Sequence, residues 1–226
     1  MQLSIMGEGS FQACKIELKD GESFITESGA MAQMSANIDY EVTTHTMGGG
    51  GGLLAGLKRM VTGNSFFMSH YTARGDGHIV VAPSLLGNIH LLDLDGTNAW
   101  VCTGGSYLGS STTVEVNTQF QGMRGMFSGE SLSYLELTGR GSAILNGFGH
   151  IRTVDVDGEH IIDTGHVIAF EDSLTYKISK AGGSWIQSFF AGEGLVFRFN
   201  GKGKVLVQSH NPTEFGKSVG PKLPPR

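Results

Sequence analysis

A Gly-x-Gly step between two apolar, strand-like segments occurs three times in this chain. It appears in Tyr71-Thr72-Ala73-Arg74-Gly75-Asp76-Gly77-His78-Ile79-Val80, in Leu135-Glu136-Leu137-Thr138-Gly139-Arg140-Gly141-Ser142-Ala143-Ile144 and in Phe197-Arg198-Phe199-Asn200-Gly201-Lys202-Gly203-Lys204-Val205-Leu206. The first glycines stand at 75, 139 and 201, so the spacing is 64 and then 62 residues. An internal period of this size means a supersecondary unit used repeatedly. Glycine supplies the positive φ of tight hairpins and their bulges, so the three steps are predicted to be hairpin turns.

A second element recurs with the first. An alternating strand ends in Asp-Gly at Lys15–Gly21, Leu91–Gly96 and Thr153–Gly158. Each copy runs on to a third strand with apolar residues two apart: Ile38, Tyr40 and Val42; Val114 and Val116; Leu174, Tyr176 and Ile178. Short strands separated by such turns predict an all-β chain of sandwich-like or barrel-like units. The repeats are expected at about 63–116, 129–178, and 192–215 joined with 10–42. On that reading the N- and C-terminal half-repeats pair, closing three pseudo-threefold-related units and removing exposed strand edges. Residues 1–216 would form one compact domain, with 217–226 a polar, proline-rich, flexible tail.

The 226 residues carry 35 glycines, 5 prolines, 2 cysteines and a formal net charge of −5. Glycine at about twice its usual share, without a G-X-Y period, excludes collagen, and the modest charged fraction argues against disorder. The N-terminus lacks a basic region followed by a long apolar run, and no stretch approaches a membrane-spanning helix. The expected compartment is therefore the cytoplasm, with Cys14 and Cys102 as reduced, buried, inert thiols in strands.

Before each Gly-x-Gly step lies a glycine-flanked apolar cluster: Leu57–Gly63, Met123–Gly129 and Ile186–Gly192. The first is the longest and follows Gly48–Gly52. Leu53, Leu54, Leu57, Met60 and Val61 would make one face of a short helix, with Lys58 and Arg59 beside it. With Met123, Met126, Phe127, Ile186, Phe189 and Phe190 these residues form a candidate rim for protein or membrane docking. The alternative is burial of the rim in a homo-oligomer or over the open ends of the barrel.

Other chemistry finds little support. After Gly51 and Gly56 comes Leu57, where a phosphate loop needs lysine, and no dinucleotide fingerprint occurs. His70 and His78 flank one predicted turn and would approach across it; His160 and His166 flank Asp163. Neither pair gives a metal-ligand set, and Asp93/Asp95 and Asp155/Asp157 depart from a calcium loop, reading as solvent-facing strand residues. No cofactor, metal or catalytic residue is predicted. Acidic balance and scattered basic residues disfavour nucleic acid, although Arg140, Lys202 and Lys204 occupy equivalent steps.

The segment Leu53-Leu54-Ala55-Gly56-Leu57-Lys58-Arg59-Met60-Val61-Thr62-Gly63-Asn64-Ser65-Phe66-Phe67 resembles the signature of the family of altered inheritance of mitochondria protein 24. Echoes occur at Ser128-Gly129-Glu130-Ser131-Leu132 and Ala191-Gly192-Glu193-Gly194-Leu195, and the likeness runs from about Phe11 to Phe215. This resemblance implies a fold like that of the tryptophan RNA-binding attenuator protein, with three such units in one chain, and supplies no catalytic residue. The expectation is a non-enzymatic scaffold or binding module. The alternative is a small-molecule or oligonucleotide binder using a groove between repeats.

Overall fold

A computed structural model describes residues 1–45, 66–119, 134–180 and 195–224. Sixteen strands are present among them, and their pairing follows from the two glycine signals. In chain order they are β1 (Gln2–Met6), β2 (Ala13–Leu18), β3 (Ser23–Glu27), β4 (Met31–Met34), β5 (Ile38–His45), β6 (Phe66–Ala73), β7 (Gly77–Val81) and β8 (Ile89–Asp95). There follow β9 (Trp100–Thr103), β10 (Tyr107–Ser111), β11 (Val114–Gln119), β12 (Tyr134–Asn146), β13 (Ile151–Asp163), β14 (Val167–Glu171), β15 (Thr175–Lys180) and β16 (Leu195–Gln208). The third strands read from Ile38, Val114 and Leu174 are β5, β11 and β15.

The Gly-x-Gly steps are corners, not hairpin turns. β6 and β7, on either side of Gly75-Asp76-Gly77, do not pair with each other; β6 pairs with β3 and β5, β7 with β2 and β4. β12 and β16 run unbroken through their steps. The Asp-Gly strand faces each corner. The stretch before Asp-Gly pairs with the stretch after Gly-x-Gly, and the stretch after Asp-Gly with the stretch before it. In the third instance Gly158 sits opposite Gly201 in one ladder from Ile151↔Gln208 to Asp163↔Val196. Positive φ on both strands (Gly158 +90°, Gly201 +123°) marks the corner, and the halves on either side of it take different further partners, β14 after the corner on β16 and β15 before it. A positive-φ glycine serves a hairpin and a corner alike, which is why the local signal misassigned the turn.

The expected closure of the termini is also overturned. Among the described residues β16 pairs with β13, β14 and β15, and no strand from the first 45 residues pairs with it. β2 pairs instead with β7, the strand after the first Gly-x-Gly step. Among the described residues each ladder is thus paired within its own stretch of chain, and 195–215 share no strand pairing with 10–42. The cause is a permutation: a repeating order of two signals does not say which opens the unit, and local pairing closes the shorter loop.

Neighbouring ladders are joined by strand pairing. β10 lies between β12 and β3, with Gly109 opposite Thr26 and Ser110 opposite Ile25. β14 lies between β16 and β9, with Ala169 opposite Cys102 and Phe170 opposite Val101. The segments entering the ladders run side by side in parallel, Phe11 bridged to Gly87 and Gly87 to Gly149. Three apolar clusters fill the interior, the last rich in stacked aromatics such as Phe197 against Phe199 at 5.1 Å.

The expected flexible tail from 217 is replaced at its start by a helix, α1 (Pro212–Val219), which follows β16. Asn211 caps it, accepting from the N–H groups of Thr213 and Glu214, with Pro212 in the first turn. Phe215 packs edge-on to Phe148 at 5.1 Å, so Lys217–Val219 belong to the last turn of a docked helix.

Candidate functional site: an acidic cleft beside the second ladder

β8 alternates as a half-buried strand should, with Leu92 and Leu94 buried and Asp93 and Asp95 exposed. It pairs with β12 on one side only among the described residues. Its other edge opens on a cleft of about 300 Å³, whose far wall is Thr153 of β13, Glu171 of β14 and Lys204 and Leu206 of β16. Trp100 and Leu206, both buried, contribute apolar wall, and His90 and Asn98 complete the near side.

The polar groups are held in place. Asp93 Oδ1 accepts from Ser142 Oγ at 2.9 Å. Asp95 Oδ1 accepts from the Thr97 hydroxyl at 2.6 Å and the Thr97 N–H at 2.8 Å, which hold its carboxyl below the usual carboxylate range. Glu171 Oε2 accepts from the backbone N–H of Lys204 at 2.9 Å. Burial lowers the His90 pKa, with Asp93 opposing, so the imidazole is neutral at pH 7. Three carboxylates against one ammonium leave the cleft acidic.

The corresponding edge of the first ladder is covered. There β1 lies antiparallel on β2, from Gln2↔Glu17 to Met6↔Ala13. Leu3 of β1 packs on the cluster that also receives Leu91. An added strand occupies one ladder's edge, and the next ladder's edge has no partner among the described residues.

The thirteen rim residues from Leu53 to Phe190 all lie outside the described residues. Their flanking strands are described: the three segments leave and re-enter at the pairs His45↔Phe66, Gln119↔Tyr134 and Lys180↔Leu195. His70 and His78 do not face each other across a hairpin, because the strands carrying them do not pair. His70 lies opposite Ile25 and Glu41, while His78 bonds Ser35 Oγ at 2.9 Å and Gln33 at 3.2 Å. His166 Nδ1 bonds Gln208 O at 2.8 Å, and His160 sits opposite Phe199. Among the described residues no group of three His, Cys, Asp or Glu is placed to hold a metal ion. Cys14 and Cys102 are buried and free; burial pushes their thiols up to about 11 and about 12, so both are protonated at neutral pH. Arg140 Nε is occupied by Asp95 O at 3.1 Å. Of the cleft, Asp93, Asp95 and Lys204 stand out in the sequence, which does not connect them.

The profile of the family described as mitochondrial biogenesis AIM24 matches residues 3–210. The chain belongs to that family. An uncharacterized protein of Streptococcus pyogenes serotype M6, M6_Spy0233, is 29% identical over 229 residues, covering 99% of this chain and 92% of that protein. The crystal structure of protein SPYM3_0169 from Streptococcus pyogenes is similar throughout, with a TM-score of 0.80 and 29% identity over 98% of this chain and 99% of that one. The family likeness expected from the Leu53–Phe67 segment is thereby established, and the all-β architecture agrees with it. No helix among the described residues is long and apolar enough to cross a membrane.

Proposed function

We propose that this family member is a non-enzymatic binding module, and that its site is the acidic cleft along the open edge of β8. The occupant that fits is an extended, positively charged segment, added as a further strand of the sheet. The observation that carries this is β1: the chain itself lays a strand on the matching edge of the first ladder. Backbone pairing would supply affinity, and Asp93, Asp95 and Glu171 would select lysine or arginine side chains. The same carboxylates repel a phosphate backbone, so an oligonucleotide fits this groove poorly. Protonated, buried cysteines supply no nucleophile, in keeping with a role in binding.

Calorimetric titration with two eight-residue peptides tests this, one alternating Lys and Val and the other Glu and Val. The basic peptide is expected to bind, about tenfold more weakly to the Asp93→Asn/Glu171→Gln protein, and the acidic peptide not at all. Equal binding of both peptides, or of neither, would reject the reading.

A second surface is proposed on separate grounds. The three apolar segments leave matching strand pairs, which supports a common rim and a pseudo-threefold relation among the ladders. This rim is proposed to dock a protein partner, a further copy of the chain or a membrane surface in the cytoplasm, a compartment that suits two free thiols. Deleting Gly48–Val61 should lower liposome or partner binding; unchanged binding would remove that segment from the surface.

A further inference from the structure

The two internal joints are built from one pair of parts. A short bulged strand, β10 or β14, bonds its own ladder on one edge and the preceding ladder on the other. β4 is the same part: its register on β7 slips between Met31 and Gln33, as β10 slips between Tyr107 and Gly109 and β14 between Val167 and Ala169. Yet β4 has only β7 as partner among the described residues. The other half of a joint is the strand just after Asp-Gly: β3 in the first, β9 in the second. In the third ladder that part is Glu159–Asp163 of β13, which has only β16 beside it among the described residues.

The geometry points to head-to-tail pairing between copies of this chain, β4 of one copy against Glu159–Asp163 of the next. Ile162 faces Phe197 as Cys102 faces Leu135, each opposite the residue four before its corner glycine. Carrying over the register of the second joint places Gln33 opposite Ile162 and Met34 opposite Ile161. The exposure of these edges agrees. Met31 is 36% and Ile161 51% exposed, whereas Tyr107, Val167 and Val101 in the corresponding places are at most 6% exposed. β4 carries neither charge nor proline, the usual guards of an exposed edge, and presents no like charge to Glu159 or Asp163. Two unlike edges on one chain make a heterologous contact, which either closes into a ring or runs on as a filament.

Sedimentation and light scattering of the full chain, from low micromolar to about 1 mM, test this with Ala32→Lys and Ile161→Lys. Both positions are exposed in the single chain, and the joint would bury both, as Leu108, Ile168 and Val101 are buried. The mass of the wild-type protein is expected to rise with concentration. Each variant alone is expected to stay monomeric, and an equimolar mixture of the two to give a one-to-one dimer, because each keeps the edge the other lacks. A parallel measurement on unaltered protein is amide exchange, where residues 31–34 and 159–163 are expected to gain protection on concentrating. A wild-type monomer throughout, association untouched by both substitutions, or a mixture that does not dimerise would overturn the proposal.

Discussion

β10 and β4 hold the same position in successive ladders and meet opposite fates. All five residues of β10 are buried, while Met31, Ala32 and Gln33 of β4 are exposed. Register and bulge match, and the strands differ in whether a preceding ladder lies beside them. β10 has β3 to lie against, and β4, at the start of the array, has no described strand there. Burial in this fold therefore belongs to the joint more than to the strand, and among the described residues neither β4 nor Glu159–Asp163 has a second partner strand.

The largest expected effect probes what both strands depend on, the corner at which a ladder changes partners. Gly139 has φ +91°, and a Cβ there would come 2.5 Å from Thr113 O. Gly139→Val should cost about 4 kcal/mol or more in denaturant unfolding. Gly158 has φ +90° but open space around it, so Gly158→Ala should cost only about 1–2 kcal/mol. A corner that tolerates Val at 139 would mean the ladder does not bend there.

Next is the contrast itself. Leu108→Ala, at a position 3% exposed, should lose about 3 kcal/mol, and Met31→Ala less than about 1 kcal/mol in dilute solution. Equal losses would show β4 to be as well packed as β10.

The two joints also differ in their pH response. At the end of β3 in the first joint, burial pushes the Glu27 carboxyl up to about 7, whereas β9 ends in Thr103, bonded to Ser106 Oγ at 2.8 Å. The folded chain holds the Glu27 proton more tightly than the unfolded chain does. Its contribution is full below the ordinary glutamate pKa and is lost as pH rises through about 7. Stability should fall by about 2 kcal/mol between pH 5 and 8, less the screening that partial exposure allows. Glu27→Gln should flatten that part of the profile, and an unchanged profile would show that Glu27 does not carry it. A single hydrogen bond is at stake at the Tyr107 hydroxyl, 2.8 Å from Ser110 Oγ, where Tyr107→Phe should cost about 1 kcal/mol in thermal unfolding.

Much of this was legible in the chain. The alternation around Ile38, Val114 and Leu174 located β5, β11 and β15, and the glycines marked sites of positive φ. Whether those sites turn a strand back or bend it onward depends on partners far along the chain. The same holds for which of the two signals opens a ladder. Asn211, Pro212 and Glu214 announce a helix start, and the helix they open runs past 217 into the stretch expected to be a flexible tail. The cleft was the least legible feature. It brings His90 and Asp93 up to Glu171 and Lys204, and only the stacking of one ladder on the next makes them neighbours.

Amide hydrogen exchange on dilute protein reads the open array most directly. Amides of β10 and β14 should exchange only with global unfolding, while those of β4 and of residues 159–163 with no partner strand exchange orders of magnitude faster. Protection of β4 and 159–163 equal to that of β10 in the dilute monomer would mean that the chain closes on itself, contradicting the account.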